Sequence, residues 1–244
     1  MFVTHDLTKT YAPHDAPALA GVSHAFPPGR TTVLLGPSGC GKSTLLRCLL
    51  HLIEPTSGRV TLDGRPVADD VTALRRRVGY VIQDGGLFPH LTAAGNVTLL
   101  AKRLDRVNPA RLTALAELTR LDPALLDKYP GELSGGQRQR VALMRALYLD
   151  PAALLLDEPL GALDPITRAD LQTDLRQIFR DLGKTVAMVT HDLAEARYFA
   201  DEIVLMQSGR IVQRGTYDDL VTAPADTFVE RFVNAQRTIH GEVA

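Results

Sequence analysis

Short, continuous runs of apolar residues are the main hydrophobic pattern of this chain. Four runs have the length of a β-strand: Thr31–Leu35, Ala152–Leu156, Thr185–Val189 and Glu202–Met206. A strand that helices cover on both faces loses the alternation of apolar and polar residues, so such runs are typical of parallel sheets. The pattern therefore predicts an α/β fold with a mostly parallel sheet and flanking helices.

Helical periodicity fills the intervals between these runs. Within Ile166–Leu182, apolar residues recur on one helical face: Leu171, Leu175, Ile178 and Leu182. Asp164 and Pro165, just before this segment, are a typical N-cap and first-turn residue. We expect a helix there and a short docking helix at Phe228–Val233.

Two further regions depart from this pattern. Phe2–Leu7 and the segment Arg59–Val67, in which Asp63-Gly64 has the composition of a tight turn, predict a small antiparallel sheet near the N-terminus. Between Leu87 and Leu149 the strand signal disappears, and Leu, Ala and Arg recur with helical spacing. We expect a single domain over residues 1–240, with a core of 1–86 and 150–240, an inserted helical subdomain at about 87–149, and no C-terminal regulatory domain.

Composition narrows the class of protein. The 244 residues include 27 Lys and Arg against 28 Asp and Glu, and 45% of the residues are hydrophobic. This apolar share argues against disorder, and the near-neutral charge argues against a nucleic-acid partner. No apolar run of the sequence reaches the roughly 18–20 residues that cross a bilayer, and the N-terminus does not resemble a signal peptide. We expect a soluble, cytoplasmic protein.

Residues 36–44 have the pattern of a phosphate-binding loop, G-x-x-x-x-G-K-[ST]. The segment consists of Gly36, Pro37, Ser38, Gly39, Cys40, Gly41, Lys42, Ser43 and Thr44. A predicted strand precedes it, and Leu45, Leu49 and Leu52 follow at helical spacing. Such a loop wraps backbone N–H groups around nucleotide phosphates at the positive end of a helix. Lys42 is expected to contact the β- and γ-phosphates, and Ser43 to bind Mg²⁺.

A pair of carboxylates follows the apolar run Ala152–Leu156. A hydrophobic strand that ends in Asp157 has the Walker B arrangement, in which the aspartate holds Mg²⁺. Glu158 is then expected to orient or deprotonate the attacking water. Because an acidic pair alone is more often a helix start or a loop charge pair, this assignment depends on the phosphate-binding loop upstream.

The segment Leu133–Gln137, Leu-Ser-Gly-Gly-Gln, predicts the start of another helix. Ser134 is a typical N-cap, and a serine followed by Gly135 and Gly136 at a helix start also forms an anion site. A chain that already has one phosphate-binding loop would need a second one only for the nucleotide of another molecule.

Leu133–Gln137 resembles the signature motif of the ATP-binding cassette (ABC) family, and the other motifs of that family occur in the same order. The matching positions are Tyr11 for the aromatic residue that stacks on adenine, Gln83 for the Q-loop, Gly161–Asp164 for the D-loop and His191 for the switch histidine. The resemblance covers nearly the whole chain and implies an ATPase with ATP and Mg²⁺ as cofactors. It implies that Gln83 contacts Mg²⁺ and water, and that His191 contacts the γ-phosphate.

The resemblance also implies a head-to-tail dimer of two such ATPase subunits that encloses two ATP molecules. Residues 134–137 would contact the nucleotide held by the other subunit, and Asp164 would connect the two sites. Without the resemblance, Tyr11 is more simply a surface aromatic, His191 a core or cap residue, and Asp164 an N-cap.

Two stretches resemble one class of ABC proteins, the solute importers. Gln83–His90 is similar to the Q-loop segment that docks a helix of the membrane permease, and exposed Leu87 and Phe88 would suit that role. Burial of these two side chains in the core is the alternative. Gly161–Arg168 is similar to importers of quaternary amines such as glycine betaine, choline and carnitine. The resemblance implies an ATPase subunit on the cytoplasmic face of the membrane, with permease subunits and an external binding protein as partners.

Other functions stay open. Within transport, the solute is alternatively an amino acid, an inorganic ion or a lipid. A soluble ABC factor acting on nucleic acid or ribosomes is a further alternative, although the chain has no second cassette, long coiled-coil insertion or zinc motif. A regulatory nucleotide switch is disfavoured because both Glu158 and His191 are present.

Overall fold

The computed structural model describes residues 1–13, 16–83, 85–161 and 163–239, with the backbone alone for Ile239. Asp84 of the segment Gln83–His90, Ala162 of Gly161–Asp164 and residue 240 lie outside the described residues. The chain forms two compact units: unit 1 joins Met1–Leu74 with the chain from Thr185 onward, and unit 2 is Arg75–Lys184. These units do not follow the borders expected for a helical subdomain, which stay a prediction.

Strands and helices alternate along most of the described chain. The strands are β1 (Phe2–Lys9), β2 (Leu19–Ala25), β3 (Thr31–Leu35), β4 (Ser57–Leu62), β5 (Arg65–Pro66), β6 (Val78–Val81), β7 (Ala153–Asp157), β8 (Thr185–Val189), β9 (Glu202–Gln207) and β10 (Arg210–Gly215). The α-helices are α1 (Lys42–Leu49), α2 (Val71–Arg77), α3 (Ala93–Arg103), α4 (Pro109–Leu118), α5 (Gly135–Leu147), α6 (Pro165–Leu182), α7 (Leu193–Phe199), α8 (Tyr217–Thr222) and α9 (Thr227–Ile239). This order confirms the predicted α/β class.

An antiparallel sheet lies near the N-terminus, in unit 1, with the strand order β2-β1-β4-β5. Leu62 of β4 is paired with Arg65 of β5. Between them Asp63 and Gly64 have φ angles of 52° and 79°, which are the left-handed values that a two-residue hairpin turn requires. The predicted antiparallel sheet and its Asp-Gly turn are therefore confirmed.

Unit 1 also contains a mostly parallel sheet, with the strand order β10-β9-β3-β8. All five residues of β3 are buried, as expected for a strand inside a parallel sheet. β3 runs parallel to β8, with Leu34 beside Val189, so the two strands end at the same edge of the sheet. Helix α1 packs against β8 and α7 against β3. The segments that follow Leu35 and Val189 therefore leave the sheet side by side.

Unit 2 repeats this arrangement with fewer strands. β6 runs parallel to β7, with Val81 beside Leu156, so the residues after these two strands also leave from one edge. Helix α5 packs against β6 and against both α3 and α4. The Leu- and Ala-rich helices expected between residues 87 and 149 are present as α3, α4 and α5.

The first helix is shorter than its apolar spacing indicates. Leu45 and Leu49 are fully buried in α1, but the helix ends at Leu49 and the Leu52 side chain is 47% exposed. His51 adopts a left-handed backbone, and the carbonyl of Arg47 accepts hydrogen bonds from the N–H groups of Leu52 and Ile53. These bonds close the C-terminus of the helix, so the expectation that Leu52 extends its buried face is wrong.

Among the described residues, none of the helices combines the length and the apolar character that crossing a bilayer requires.

The last helix is longer than expected, since α9 covers Thr227–Ile239 instead of Phe228–Val233. It packs against α7 and α8, which agrees with the expected docking role.

His24 is an ionisable side chain buried in the antiparallel sheet of unit 1. Its ring packs edge-on against Phe26, with the ring centroids 4.7 Å apart. Neither ring nitrogen has a hydrogen-bond partner among the described residues, and the Glu202 carboxylate lies 3.8 Å from Nε2, too far for a hydrogen bond. Burial, helped by the positive charge of Arg214, lowers the pKa of His24 to about 4.

This shift makes the fold sensitive to acid. A histidine with a depressed pKa in the folded state binds its proton only after unfolding, so stability falls as the pH drops from about 6.5 towards 4. From pH 7 to pH 5, His24 is expected to cost on the order of 1–2 kcal/mol of unfolding free energy. His24→Leu should remove this part of the pH dependence in urea unfolding curves, and equal losses in both proteins would contradict the assignment.

Candidate nucleotide-binding site

The predicted phosphate-binding loop connects the end of β3 to the start of α1. Gly36 has a φ of 146°, and a Cβ atom there would lie 2.3 Å from the carbonyl oxygen of Met206. Gly41 has a φ of 108°, and its Cβ would lie 2.3 Å from the carbonyl oxygen of Ala18. Only glycine fits at either position, because side chains would collide with backbone that cannot move aside.

Lys42 places its ammonium inside this loop. The residue is only 4% exposed, and Nζ donates hydrogen bonds to the carbonyl oxygens of Gly36 (2.7 Å) and Pro37 (2.9 Å). No carboxylate of the described residues pairs with this ammonium. A buried charge is costly unless an opposite charge compensates it, so the loop is suited to an anion such as a phosphate group.

The remaining residues of the loop form its exposed tip and the first helical turn. Pro37, Ser38 and Gly39 are exposed, and Ser43 and Thr44 are half-buried at the start of α1. Cys40 is buried, and this burial raises the pKa of its thiol even though Lys42 is close by. An un-ionised thiol is a poor nucleophile, so Cys40 is better suited to filling space in the loop than to reacting.

His191 follows the strand next to the loop. Because β3 and β8 are parallel neighbours, the phosphate-binding loop and His191 leave the sheet at the same edge, and the N–H of Thr190 donates to the carbonyl of Leu34 (3.1 Å). The His191 side chain is exposed. Unit 1 therefore brings together Lys42 and His191, which lie far apart in the sequence.

The loop that carries His191 is held by a hydrogen bond between Thr190 and Glu195 and by a helix cap at Asp192, and sequence reasoning missed both. The hydroxyl of Thr190 donates a hydrogen bond of 2.6 Å to the buried carboxylate of Glu195, and the same hydroxyl accepts from the N–H of Asp192. Asp192 caps α7 by accepting from the N–H groups of Ala194 and Glu195. An aspartate before a helical segment was the available signal for this cap.

Tyr11 lies two residues after β1, in unit 1, and is 37% exposed. The ammonium of Lys9 lies 5.2 Å from the centre of its ring. The Tyr11 ring is thus exposed, with a cation over one face. Its stacking on adenine stays a prediction.

The acidic pair lies in unit 2, at the end of β7. Asp157 is the last residue of the strand and is buried, whereas Glu158 comes directly after it and is half-buried. Glu158 has a φ of 46°, a left-handed backbone that costs a residue with a Cβ atom roughly 1 kcal/mol. Gln83 is exposed two residues after β6, the parallel neighbour of β7, so unit 2 brings Gln83 to the same edge as Asp157.

Ser134 caps α5 as the sequence predicts. Its hydroxyl accepts from the N–H of Gln137 (3.3 Å), and the Gln137 side chain accepts in return from the N–H of Ser134 (2.8 Å). This capping box keeps the Gln137 side chain within its own helix start. Gly135 is half-buried and Gly136 is buried, and the predicted nucleotide contacts of residues 134–137 stay a prediction.

Asp164 caps α6 in the same unit. Its carboxylate accepts from the N–H of Thr167 at 3.0 Å, which confirms the predicted N-cap. Hydrogen bonds from the side chain and backbone of Thr167 lower the pKa of Asp164, so the cap stays ionised at neutral pH. The additional role of Asp164 between two sites stays a prediction.

The sequence profile of the ABC transporter family matches residues 19–161 of this chain. The chain belongs to the ABC transporter family. Solved ABC cassettes share its architecture: the dimeric structure of MJ0796 bound to ADP and Pi superimposes with a TM-score of 0.79 at 32% identity, covering 89% of this chain and 99% of that one. The structure of cbiO1 from Clostridium perfringens, part of the transporter complex cbiONQ, has a TM-score of 0.80 at 28% identity, with 98% and 94% coverage.

Curated ABC relatives include several ATP-binding proteins for osmoprotectants. The chain is 43% identical to the choline transport ATP-binding protein OpuBA of Bacillus subtilis, over 98% of this chain and 64% of the relative. It is 46% identical to the glycine betaine/carnitine/choline transport ATP-binding protein OpuCA of the same organism, over 86% and 57%. The osmoprotectant import ATP-binding protein OsmV of Salmonella typhimurium is 42% identical, over 98% and 65%. The chain thus spans less than two thirds of the length of these ABC relatives.

Replacement of Lys42 tests the phosphate-binding loop of this ABC protein. Lys42→Ala should lower the affinity for ATP by about 10- to 100-fold, because one charge-assisted hydrogen bond to phosphate contributes roughly 1.5–3 kcal/mol. Titration with a fluorescent ATP analogue measures the change. Lys102→Ala, at an exposed lysine in the last turn of α3, is the matched control. Equal affinities of the two variants would show that Lys42 does not bind the nucleotide.

Proposed function

We propose that this chain is the ATP-hydrolysing subunit of an ABC importer and that it works as a head-to-tail dimer on the cytoplasmic face of the membrane. The observation that carries the proposal is the Lys42 ammonium, buried in a glycine loop and uncompensated by any described carboxylate. An ATP phosphate supplies the missing negative charge. His191 leaves the same sheet edge as this loop, which supports a contact between its side chain and that phosphate.

Binding is the task of the loop and of the first turn of α1. Lys42 donates to the β- and γ-phosphates, while the amide groups at the start of the helix surround them. Tyr11 stacks on the adenine ring. The Ser43 hydroxyl and the Asp157 carboxylate are hard oxygen donors of the kind that Mg²⁺ prefers. They would hold the ion, which would supply positive charge to offset the negative charge of the phosphates.

These oxygen donors suit a magnesium ion that phosphate and water oxygens help to bind. They are too few for a metal ion bound by protein side chains alone. Among the described residues there is no group of three or more His, Cys, Asp and Glu side chains that could hold a metal ion. Mg²⁺ commonly takes one or two protein ligands and completes its shell with phosphate and water oxygens. Gln83, at the same edge as Asp157, is a further oxygen donor for the cation or its water.

Hydrolysis depends on the carboxylate of Glu158. We assign it to orient the attacking water and to accept a proton from it, a task that contributes about 10²- to 10⁴-fold to the rate. The left-handed backbone turns Glu158 away from the direction in which β7 would have continued. His191 donates a hydrogen bond to the γ-phosphate from the loop that Thr190 and Glu195 brace.

Dimerisation would place residues 134–137 of one subunit against the nucleotide of the other. Ile166, in the first turn of α6, supports such an interface, because its side chain is 78% exposed directly beside the Asp164 cap. Covering such a side chain would remove apolar surface from water, which favours association. The similarity to a dimeric ABC cassette with ADP and Pi is the second support.

The membrane partner would dock at the segment Gln83–His90. Phe88 is 44% exposed, so the alternative that it belongs to the core is wrong. The buried Asn96 side chain accepts from the N–H of Phe88 (2.7 Å) and donates to its carbonyl (3.1 Å), which holds the backbone while the ring stays outside. Asn96 was missed in the sequence, although an amide within the apolar spacing of α3 was a signal.

Arg145 of α5 holds the other end of this segment. Its guanidinium donates to the carbonyls of Gly85 (2.7 Å) and Gly86 (2.8 Å), and burial lowers its pKa. Asn96 and Arg145 also line a groove of unit 2, together with the apolar and aromatic residues Val78, Tyr80, Val97, Leu100, Tyr148 and Pro151 and the cations Arg75 and Arg76. We assign this groove and Phe88 to a short helix of the permease with apolar side chains on one face.

Osmoprotectants of the quaternary-amine class are the solutes that the relatives favour. OpuBA and OsmV match this chain over nearly its full length. An inorganic ion is the second candidate, since the Fe(3+) ions import ATP-binding protein FbpC 2 of Rhodococcus jostii is 44% identical over 89% of this chain and 63% of the relative. In either case, we assign the choice of solute to the permease and an external binding protein.

Glu158→Gln tests hydrolysis separately from binding. The variant should bind ATP with unchanged affinity, lose about 10²-fold or more of its turnover and accumulate as a dimer, because the γ-phosphate is held but not cleaved. Phosphate release, ATP titration and size-exclusion chromatography with ATP measure the three effects. Glu117→Gln, at an exposed position of α4, is the control. Full turnover by the Glu158 variant would refute its catalytic role.

Phe88→Ala tests the docking surface and the solute class in one system. In proteoliposomes with the permease and its binding protein, choline or glycine betaine should stimulate wild-type ATPase activity. Phe88→Ala should keep its basal ATPase rate but lose most of this stimulation, because the exposed ring no longer contacts the permease. Val107→Ala, another exposed apolar residue, serves as the control.

Each outcome of this experiment contradicts a different part of the proposal. Full stimulation of the Phe88 variant would refute the docking surface. Stimulation by ferric ion or an amino acid, but not by quaternary amines, would overturn the solute class. A complete absence of assembly with any permease would contradict the transport function.

A further inference from the structure

The first turns of α5 and α6 lie against each other within unit 2. A Cβ atom on Gly136 would lie 2.3 Å from the Cγ2 methyl of Thr167, and one on Gly135 would lie 3.3 Å from Cδ2 of Leu163. The first distance is far below the roughly 3.5–4.0 Å at which carbon atoms make contact. The backbone of α5 therefore packs directly on the Thr167 side chain, so a side chain at 136 would force Thr167 to move, independently of any nucleotide.

A second contact joins the same two helices further along. Asp174 of α6 is buried, and its carboxylate lies 2.5 Å from Nη1 of Arg140 in α5 and 2.9 Å from Nη1 of Arg120. A buried carboxylate that lost these cations would be strongly unfavourable, so the Arg140–Asp174 pair ties the two helices together. Arg140 lies one turn beyond Gly136, and Asp174 two turns beyond Thr167, so both contacts fall on the facing sides of the helices.

The two helix starts are also rigid in themselves. The capping box of Ser134 closes the first turn of α5, and the guanidinium of Arg138 donates to the carbonyl of Leu133 at 2.7 Å. The Asp164 carboxylate closes the first turn of α6 through the N–H of Thr167. Thr167 thus takes part in the cap of its own helix and in the contact with the other.

We propose that Thr167 is a positioning residue for ATP hydrolysis. Its methyl group, packed on Gly136, sets the spacing of the two helix starts, and the Asp174 ion pairs set their angle. Ser134 and Asp164 are therefore presented to the second subunit as one rigid surface. This inference rests on the proposed head-to-tail dimer, in which both residues act on the far side of the interface.

The physical argument is one of geometry. A displacement of about 1 Å in a group that positions substrate can cost on the order of 10²-fold in rate. Threonine suits the role because its branched Cβ leaves few side-chain rotamers on a helix, so the methyl group stays where it is needed.

A double-mutant cycle between Gly136 and Thr167 tests this positioning role. Gly136→Ala should lower the Tm and reduce kcat at least about tenfold, because the new methyl group collides with that of Thr167 and separates the helices. The affinity of the monomeric chain for ATP should stay unchanged, since Lys42 and its loop are untouched and residues 134–137 meet a nucleotide only in the proposed dimer. Gly131→Ala, where a Cβ meets no atom within 4 Å, should behave like the wild type in all three measurements.

Rescue by a second substitution is the decisive test of the positioning role of Thr167. Thr167→Ser removes the colliding methyl group, so Gly136→Ala/Thr167→Ser should recover both the Tm and most of kcat. Gly136→Ala/Thr173→Ser, which makes the same change at an exposed threonine of α6, should recover neither. Recovery of the Tm without recovery of kcat would overturn the positioning role, because Gly136 would then matter through the nucleotide alone.

Failure of the proposed function has a different signature. If the wild-type chain neither dimerises nor hydrolyses ATP, the importer proposal fails. The Tm values of the Gly136 and Thr167 variants would still show whether these two residues are in contact. If the wild type is active and Gly136→Ala has the wild-type Tm and kcat, the positioning role of Thr167 is wrong and the importer proposal is unaffected.

Discussion

The buried ammonium of Lys42 is the interaction on which the rest of the site depends. Its two carbonyl partners, Gly36 and Pro37, belong to the loop that encloses it, so the loop and the charge hold each other in place. Hydrogen bonds to a charged group contribute roughly 1.5–3 kcal/mol each, less than the full cost of burying an ammonium without a counter-charge. The part of this cost that the carbonyls do not offset would favour binding of a polyanion in the loop.

Helix starts hold most of the candidate functional residues. α1 follows Gly41, which has no side chain to cap it, whereas α5, α6 and α7 begin at Ser134, Asp164 and Asp192, each with a side-chain cap. A phosphate group can therefore take the place of a cap at α1. The other three helices are closed by their own side chains, which makes them stable supports for the residues beside them.

The sequence alone allowed the phosphate-binding loop, the acidic pair and the caps at Ser134 and Asp164 to be predicted, because each is a local pattern. Leu52 was misplaced because apolar spacing does not reveal the left-handed turn at His51 that ends α1. β2, β6 and β10 were not predicted, since they are short or mix polar and apolar residues. Asn96 and Arg145 were also missed.

The roles of the missed side chains depend on partners that no local pattern identifies. Arg145 binds carbonyls about 60 residues earlier in the chain, and the contact of Gly136 with Thr167 joins two motifs that the sequence presents as independent. Long-range partners of this kind become visible only when the helices have been packed together.

The left-handed backbone of Glu158 has a consequence for how such proteins change over time. Glycine or asparagine would relax this residue, so selection for heat resistance alone would favour replacing it. Retaining a glutamate means that the chain accepts a less stable fold in exchange for a carboxylate at this place. Laboratory evolution towards thermostability should therefore be screened for turnover at every round, because, on the role proposed for Glu158, the substitution that best relieves the backbone would also abolish hydrolysis.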